Sequence, residues 1–527
     1  MITGPDKAKS IGRRNFLKLL GGSSVVGIAA SIAGCSSDPA GGKGWMPKQY
    51  QVAGSWPVQV KGRIPIDPDN PSIMRDDRKC ILCGQCLEAC EKVQSVYGYY
   101  ELPIKKDIIC VDCGQCSLWC PTAAITERDD IDKVVKALEN KELHVVVQTA
   151  PATRVALGEE FGLAPGSLVE GKQVAALKKL GFDTVFDTNY SADLTIMEEG
   201  TELIKRIEGM AGHPLPQFTS CSPGWVKFCE YYYPDLIGNL STAKSPQQML
   251  GALVKTYYAR EKGIDPAKII SVAIMPCTAK KFECARPEMN AAGVLHGKPE
   301  IRDVDVVLTT RELARLMKKR GIDLNTLTDA PYDRLMGEST GAGVIFGVTG
   351  GVMEAAVRSA YYLVTKQDPP ETLLTLTPVR GLAGVKEATV ALPGMGEIQV
   401  AVCHGLKNAR LILDEIREGK TRWQFIEFMS CPGGCIGGGG QPRTSLPPSD
   451  EIRQARIASL YKLDSSVYKK RLSYKNEEIR QVYQNYLDHP MSEKAEQLLH
   501  THYTDRGGKL TAKKRLVKRP AGGERNG

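Results

Sequence analysis

The chain has 527 residues, of which 42% are hydrophobic and 24% charged, an ordinary composition for a soluble globular protein. A disordered chain, a coiled coil and a polytopic membrane protein are excluded, and the length fits about two to four domains. The formal charge of +9 sits at the two ends, in residues 1–35 and 505–527, while the body between them is near neutral. No basic stripe crosses that body, so nucleic acid is not an expected partner.

Residues 1–35 come first. Arg13-Arg14 precede Phe16-Leu17-Lys18 and a weakly apolar stretch from Leu19 to Ala33. The pattern resembles a twin-arginine export signal, and the stretch is too short and glycine-rich for a membrane span. Ile32-Ala33-Gly34-Cys35 resembles a lipoprotein processing site. Lipidation of Cys35 and plain cleavage at small residues both stay open; an acylated Cys35 would tether the protein without spanning the bilayer. The export signal implies the twin-arginine translocon as a partner and a periplasmic or outer-face location. Residues 36–75, rich in Gly and Pro, read as an irregular linker.

The chain has sixteen cysteines, and eight of them fall between Cys80 and Cys120. Disulfide scaffolds are small and cysteine-dense throughout; clustering at two- and three-residue gaps in a long chain points to metal or iron–sulfur ligation. Cys80-x2-Cys83-x2-Cys86-x3-Cys90 is followed by Cys110-x2-Cys113-x2-Cys116-x3-Cys120-Pro121. Zinc sites favour two C-x2-C pairs, often with histidine, and a repeated four-cysteine run does not match them. The module, residues 76–140, resembles a bacterial two-cluster ferredoxin, with Glu91 where proline usually follows the fourth cysteine. In such modules the fourth cysteine of each run ligates the other cluster. That assigns Cys80, Cys83, Cys86 and Cys120 to one [4Fe–4S] cluster, and Cys110, Cys113, Cys116 and Cys90 to the other.

Residues 141–445 follow a different pattern. Short apolar runs at 144–148, 184–186, 269–274, 304–308 and 400–402 read as strands. They alternate with helix-length segments at 193–208, 245–261, 310–319 and 405–418, which predicts an α/β domain with mostly parallel strands. Cys277 lies just past one such strand, Cys431 and Cys435 follow the apolar run 425–429, and Cys221 follows Phe218. Ligands gather beyond the carboxyl ends of strands in open α/β sheets, so three cysteine-bearing loops are expected to converge there.

The three loops are Phe218-Thr-Ser-Cys-Ser-Pro-Gly-Trp225, Met275-Pro-Cys-Thr-Ala-Lys-Lys-Phe-Glu283, and residues 427–442 with Cys431, Cys435 and the run Gly437–Gly440. In this order, behind the ferredoxin module, they resemble the signature loops of iron-only ([FeFe]) hydrogenases, from about residue 76 to 503. The resemblance implies reversible H2 oxidation and proton reduction at a six-iron cluster. That cluster joins a [4Fe–4S] cubane to a two-iron unit with CO, CN⁻ and a bridging dithiolate. By motif position Cys277, Cys431 and Cys435 ligate the cubane, with Cys435 bridging; Lys280 donates to a cyanide, and Met275 and Met429 pack on the two-iron unit. It also implies an external electron carrier of cytochrome or ferredoxin type, and maturation proteins that build the cluster.

One departure touches the active site. The family's first loop has two adjacent cysteines, a proton shuttle followed by a cubane ligand; here they are Cys221 and Ser222. Ser222 as an alkoxide ligand, Cys221 slipping into the ligand role, and a degenerate site all stay open. A catalytically silent relative, serving redox sensing or electron transfer, is the alternative function. Thr195–Ile207 reads as a helix, with Glu199, Glu202 and Arg206 on one face. By position they match the family's proton relay, and Ser241 matches the relay serine. Cys229, Cys284 and Cys403 match no ligand position and are expected to be buried apolar cysteines.

Residues 446–504 resemble the small-subunit segment of hydrogenases, fused here as C-terminal helices. The basic tail 505–527 has no periodicity and is expected to be disordered.

Overall fold

The computed structural model describes residues 62–99 and 108–510. The export pattern at Arg13-Arg14, Cys35 and the basic tail from residue 511 onward lie outside the described residues. The described residues fall in two units, one holding Gly62 and Leu82–Gly84, the other Arg63–Ile81 and residues from Gln85 onward. Gly62 pairs with Cys83 in an isolated parallel bridge within the first. The second carries every element below.

The stretch read as an irregular linker ends in a strand, β1 (Ile73–Arg75), which pairs antiparallel with β2 (Ile125–Glu127). Three residues are too few to show a period in sequence. Burial decides the matter: Ile73 and Ile125 close a small core with Ile64, Cys86 and Cys116.

Beyond it stand two four-stranded sheets. The first has order β4-β3-β6-β7, from β3 (His144–Thr149), β4 (Thr184–Asp187), β6 (Ile269–Met275) and β7 (Val306–Thr309), all parallel. Both faces are covered, as the near-continuous apolar runs require. Val145, Val147, Val272 and Ile274 face one core, while Val146, Phe186 and Ile269 face another. The second sheet has order β5-β10-β9-β8, from β5 (Gln217–Phe218), β8 (Val385–Leu392), β9 (Gly396–His404) and β10 (Phe425–Met429). Its β5, β10 and β9 are parallel, and β8 joins antiparallel through a hairpin. The mostly parallel α/β architecture expected from the sequence is the one observed. The β8 hairpin arm was not foreseen, because its half-exposed alternation lacks an apolar run.

The helices begin where capping chemistry starts them. Asp187 accepts from the Asn189 amide to open α1 (Thr188–Ile207). Thr309 and Glu312 form a reciprocal capping box on the helix Thr310–Lys319. The first cysteine loop runs into α2 (Pro223–Tyr232), the second into α3 (Ala279–Cys284). In the C-terminal segment, Arg456 bonds Glu159 and the Ile436 carbonyl, while Asp464 pairs with Arg358. The helices of residues 450–506 are thereby clamped onto the large domain.

Glycines decide one junction. The loop after Cys435 lies directly on the Cys110–Cys116 turn: a Cβ on Gly439 would collide with the Cys113 carbonyl oxygen, and one on Gly114 with the Thr278 side chain. The contact is locked by Gln115 Nε2 donating to the Gly437 carbonyl at 2.8 Å and Arg311 Nη2 to the Gly439 carbonyl at 2.8 Å. Gly439→Ala is expected to cost about 3 kcal/mol through overpacking against backbone that cannot retreat. Gly200→Ala, inside α1 with only Leu363 at 3.5 Å, should be neutral or stabilising. Thermal unfolding of the two variants checks the contrast.

Candidate active site

The carboxyl ends of the two sheets open onto one cavity of about 780 Å³. β6 delivers Met275 and Cys277, β10 delivers Met429, Cys431 and Cys435, and the loop after β5 delivers Cys221 and Ser222. The three cysteine loops therefore converge, as the strand-end argument expects. Phe346, Met275 and Met429 make the wall largely apolar, and Lys280 and Gln247 are polar exceptions. A buried amide oxygen, Gln247 Oε1, has no partner among the described residues.

The donor set fits an iron–sulfur group. Cys277, Cys431 and Cys435 are desolvated, and burial pushes their thiols up, Cys435 to about 12. Sulfurs gathered this way become thiolates only beside strong positive charge, which iron supplies. Among the described residues no three His, Cys, Asp or Glu side chains converge on a single-ion site. The cysteines border cluster-sized cavities.

A second cavity, of about 400 Å³, is lined by Cys90, Cys110, Cys113 and Cys116. These are the four cysteines assigned by spacing to one cluster. Cys113 borders both cavities. Of the other four, Cys86 accepts the Ile64 amide at 3.3 Å and Cys120 the Ile125 amide at 3.4 Å. Cys80 is half-buried after the turn Asp77–Lys79. Cys83 belongs to the first unit.

Behind Cys221 the acidic face of α1 is buried. Glu202 is ion-paired with Arg206 at 2.5 Å and accepts the Ser241 hydroxyl at 2.6 Å. The Thr242 amide also donates to Glu202, at 3.1 Å. Arg206 spends its remaining donors on the carbonyls of Pro214, Gly238, Asn239 and Leu240. Glu199 is different. Burial, reinforced by the charge of Glu202, pushes its carboxyl up to about 8, against a smaller opposing pull from the Ser241 hydroxyl. Its Oε2 is buried with no partner among the described residues. Burial, with Glu199 and Cys435 adding to it, also holds the Cys221 thiol well above its ordinary value. Both shifts favour the protonated forms of Cys221 and Glu199 at neutral pH.

Ser222 precedes Pro223 at the start of α2 but does not cap that helix. Its hydroxyl lies 2.9 Å from that of Ser430 and accepts the Ser430 amide at 3.2 Å, reaching across to the loop that carries Cys431. Lys280 donates to Glu283 at 2.9 Å and to the Cys221 carbonyl at 3.1 Å. Cys229 and Cys403 are fully buried in apolar surroundings and Cys284 is half-buried.

Several residues of the site carried no assigned role in the sequence. Glu283 stands three residues after Lys280 on α3, a spacing that signals a same-face pair. Ser430 and Phe346 gave no such signal. Nor did Tyr503, whose hydroxyl donates to the Ser241 carbonyl at 2.6 Å, because only tertiary folding brings it there.

Glu199 is expected to be a carboxylic acid at neutral pH and to ionise as the pH rises through about 8. Infrared difference spectra should show a protonated-carboxyl band that fades over that range and is missing in Glu199→Gln.

Residues 143–439 match the family described as iron only hydrogenase large subunit, C-terminal domain, and residues 450–506 the iron hydrogenase small subunit. The chain is 48% identical over 455 residues to the NADP-reducing hydrogenase subunit HndD of Solidesulfovibrio fructosivorans, covering 82% of this chain and 75% of that one. It is 47% identical over 365 residues to the periplasmic [Fe] hydrogenase large subunit of Nitratidesulfovibrio vulgaris, covering 63% and 84%. Among solved structures, [FeFe]-hydrogenase HydA1 from Chlamydomonas reinhardtii superposes with a TM-score of 0.64 at 41% identity, covering 72% of this chain and 99% of that one.

Proposed function

We propose, from the premise that the chain belongs to the iron-only hydrogenase family, that it interconverts H2 with protons and electrons in the cavity at the strand ends. The observation that carries this reading is the convergence of Cys277, Cys431, Cys435 and Ser222 on one apolar cavity, with a buried acid relay behind Cys221.

Cys277, Cys431 and Cys435 would hold the cubane half of a six-iron cluster. When bound, that cluster supplies the redox chemistry that makes and breaks H–H bonds. The chain's own residues do the rest. Met275, Met429 and Phe346 keep water from the cavity, which strengthens every charge interaction inside it. Lys280, anchored by Glu283 and the Cys221 carbonyl, would offer its ammonium as a donor to an anionic ligand of the cluster. Cys221 gives or takes a proton as an S–H group. Glu199, neutral at pH 7, can donate to Ser241 Oγ while Ser241 donates to Glu202, so one concerted shift moves a proton along the row. Arg206, 2.5 Å from Glu202, holds that carboxyl in place at the end of the row. We assign the Ser222 hydroxyl, and not the Cys221 thiol, as the fourth ligand that would hold the cubane; Ser222 lines the same cavity as Cys277, Cys431 and Cys435. Cys221 beside the buried Glu199, Ser241 and Glu202 supports the catalytic reading over the catalytically silent one.

Electrons would pass through the cubane of Cys90, Cys110, Cys113 and Cys116, then through that of Cys80, Cys83, Cys86 and Cys120, to an external carrier of cytochrome or ferredoxin type. The similarity to a periplasmic large subunit supports export by the twin-arginine route, with maturation proteins loading the cluster first and Cys35 as a possible lipid anchor. Among the described residues no helix is long and apolar enough to cross a membrane.

The direct test is infrared spectroscopy of anaerobically matured protein. Sharp CO and CN⁻ bands that shift under H2 are expected; their absence, with iron matching only the ferredoxin-type clusters, would overturn the reading. In Glu202→Gln the same bands should persist while turnover falls on the order of 100-fold, the scale of a lost proton-transfer group. H2 evolution and uptake assays check the second statement.

A further inference from the structure

We propose that Lys227 offsets the buried Asp112 carboxylate and so keeps it from lowering the reduction potential of the cubane that Cys90, Cys110, Cys113 and Cys116 would hold. The inference rests on the cluster assignment above and adds a residue pair that the hydrogenase reading leaves unused.

Asp112 lies inside the Cys110-x2-Cys113 turn with a left-handed φ of 60°. Its side chain is fully buried, and its amide donates to Cys110 Sγ at 3.3 Å. One carboxylate oxygen accepts from Lys227 Nζ at 2.5 Å, the other from Asn70 Nδ2 at 2.8 Å. Lys227 projects from α2, with its ammonium 3.9 Å from the Phe282 ring centroid. The Asp112 carbonyl accepts the Thr278 hydroxyl at 2.6 Å, next to Cys277. The pair therefore sits between the ferredoxin turn and two of the catalytic loops.

A buried ion pair is a poor way to add stability, since desolvation offsets most of the attraction. The repeat offers an internal comparison. In Cys80-x2-Cys83 the position equivalent to Asp112 is Leu82, also left-handed with a φ of 56° but uncharged. The backbone turn does not require the carboxylate. Only the cubane next to the catalytic cavity has a carboxylate in its turn, and that carboxylate is matched by a cation.

The electrostatic consequence has a definite sign. Reduction adds one electron, and so one negative charge, to the cubane; the electron comes from H2 through the catalytic site or from dithionite in a titration. Charges in a dry interior act strongly on that added charge. Asp112 opposes reduction and Lys227 favours it, and together they nearly cancel. Lys227 touches no reacting atom and is a positioning residue.

The test is an anaerobic redox titration of the cluster-loaded full chain, followed by electron paramagnetic resonance. Lys227→Met should move the midpoint of one cubane to lower potential and leave the other in place. Asp112→Asn should move the same midpoint higher. Lys227→Arg should stay at the wild-type value, and Lys227→Gln combined with Asp112→Asn should return close to it. If Lys227→Met loses its iron, the Asp112→Asn titration decides. Midpoints that do not move, or that move in the same direction in both single variants, overturn the proposal. Wild-type protein with no reduced-cubane signal would overturn the cluster assignment instead.

Discussion

The contact between Gly439 and the Cys113–Gly114 backbone is the constraint on which the rest of the site depends. Backbone meets backbone there with no room for a Cβ on either side, so the glycine run after Cys435 is a packing requirement before it is anything chemical. Because the two loops touch, Cys113 borders the catalytic cavity as well as its own. Arg311 makes the junction rigid by bonding Glu127, Ser117 and the carbonyls of Gly439 and Gln441 at once. It ties the second ferredoxin strand to the last catalytic loop.

Around that junction, two parallel sheets supply rigid ends from which the cysteine loops project. Parallel strands bury both faces and leave their carboxyl ends as the natural site for loops. Side chains placed this way are held by core packing, which is what a large cluster with fixed corners needs. The C-terminal helices contribute from outside. Tyr503 fixes the Ser241 carbonyl, and His500 accepts or donates at Thr242 Oγ1, 2.7 Å away. The turn that carries the relay serine is thus held by the small-subunit segment, which gives that segment a structural reason to stay attached.

Much of this was legible in the sequence, and the reason is periodicity. Runs such as Val145-Val146-Val147 and Ile269–Ile274 are continuous because both sheet faces are covered, so strands and parallel class could be read together. The cysteine spacing was equally plain, since a tight turn around a cubane leaves little freedom. What could not be read was tertiary or very short. β1 pairs over three residues, β8 is half exposed, and Ser430, Phe346 and Tyr503 reach the site only through the fold. The Lys227–Asp112 pair joins residues 115 apart in sequence, and no local pattern marks either one. Ser222 was legible as a departure, but its direction was not. Only the structure shows it turned toward Ser430 instead of capping α2.

Helix α2 joins the two halves of the chemistry. At its start the first loop places Cys221 near Glu199. About one turn in, Lys227 meets Asp112 in the turn that would hold the inner cubane, where electrons enter or leave. Ser222 lies between them, bonded to the loop of Cys431. Helix α2 and the two residues that lead into it thus set Cys221, Ser222 and Lys227 in one frame.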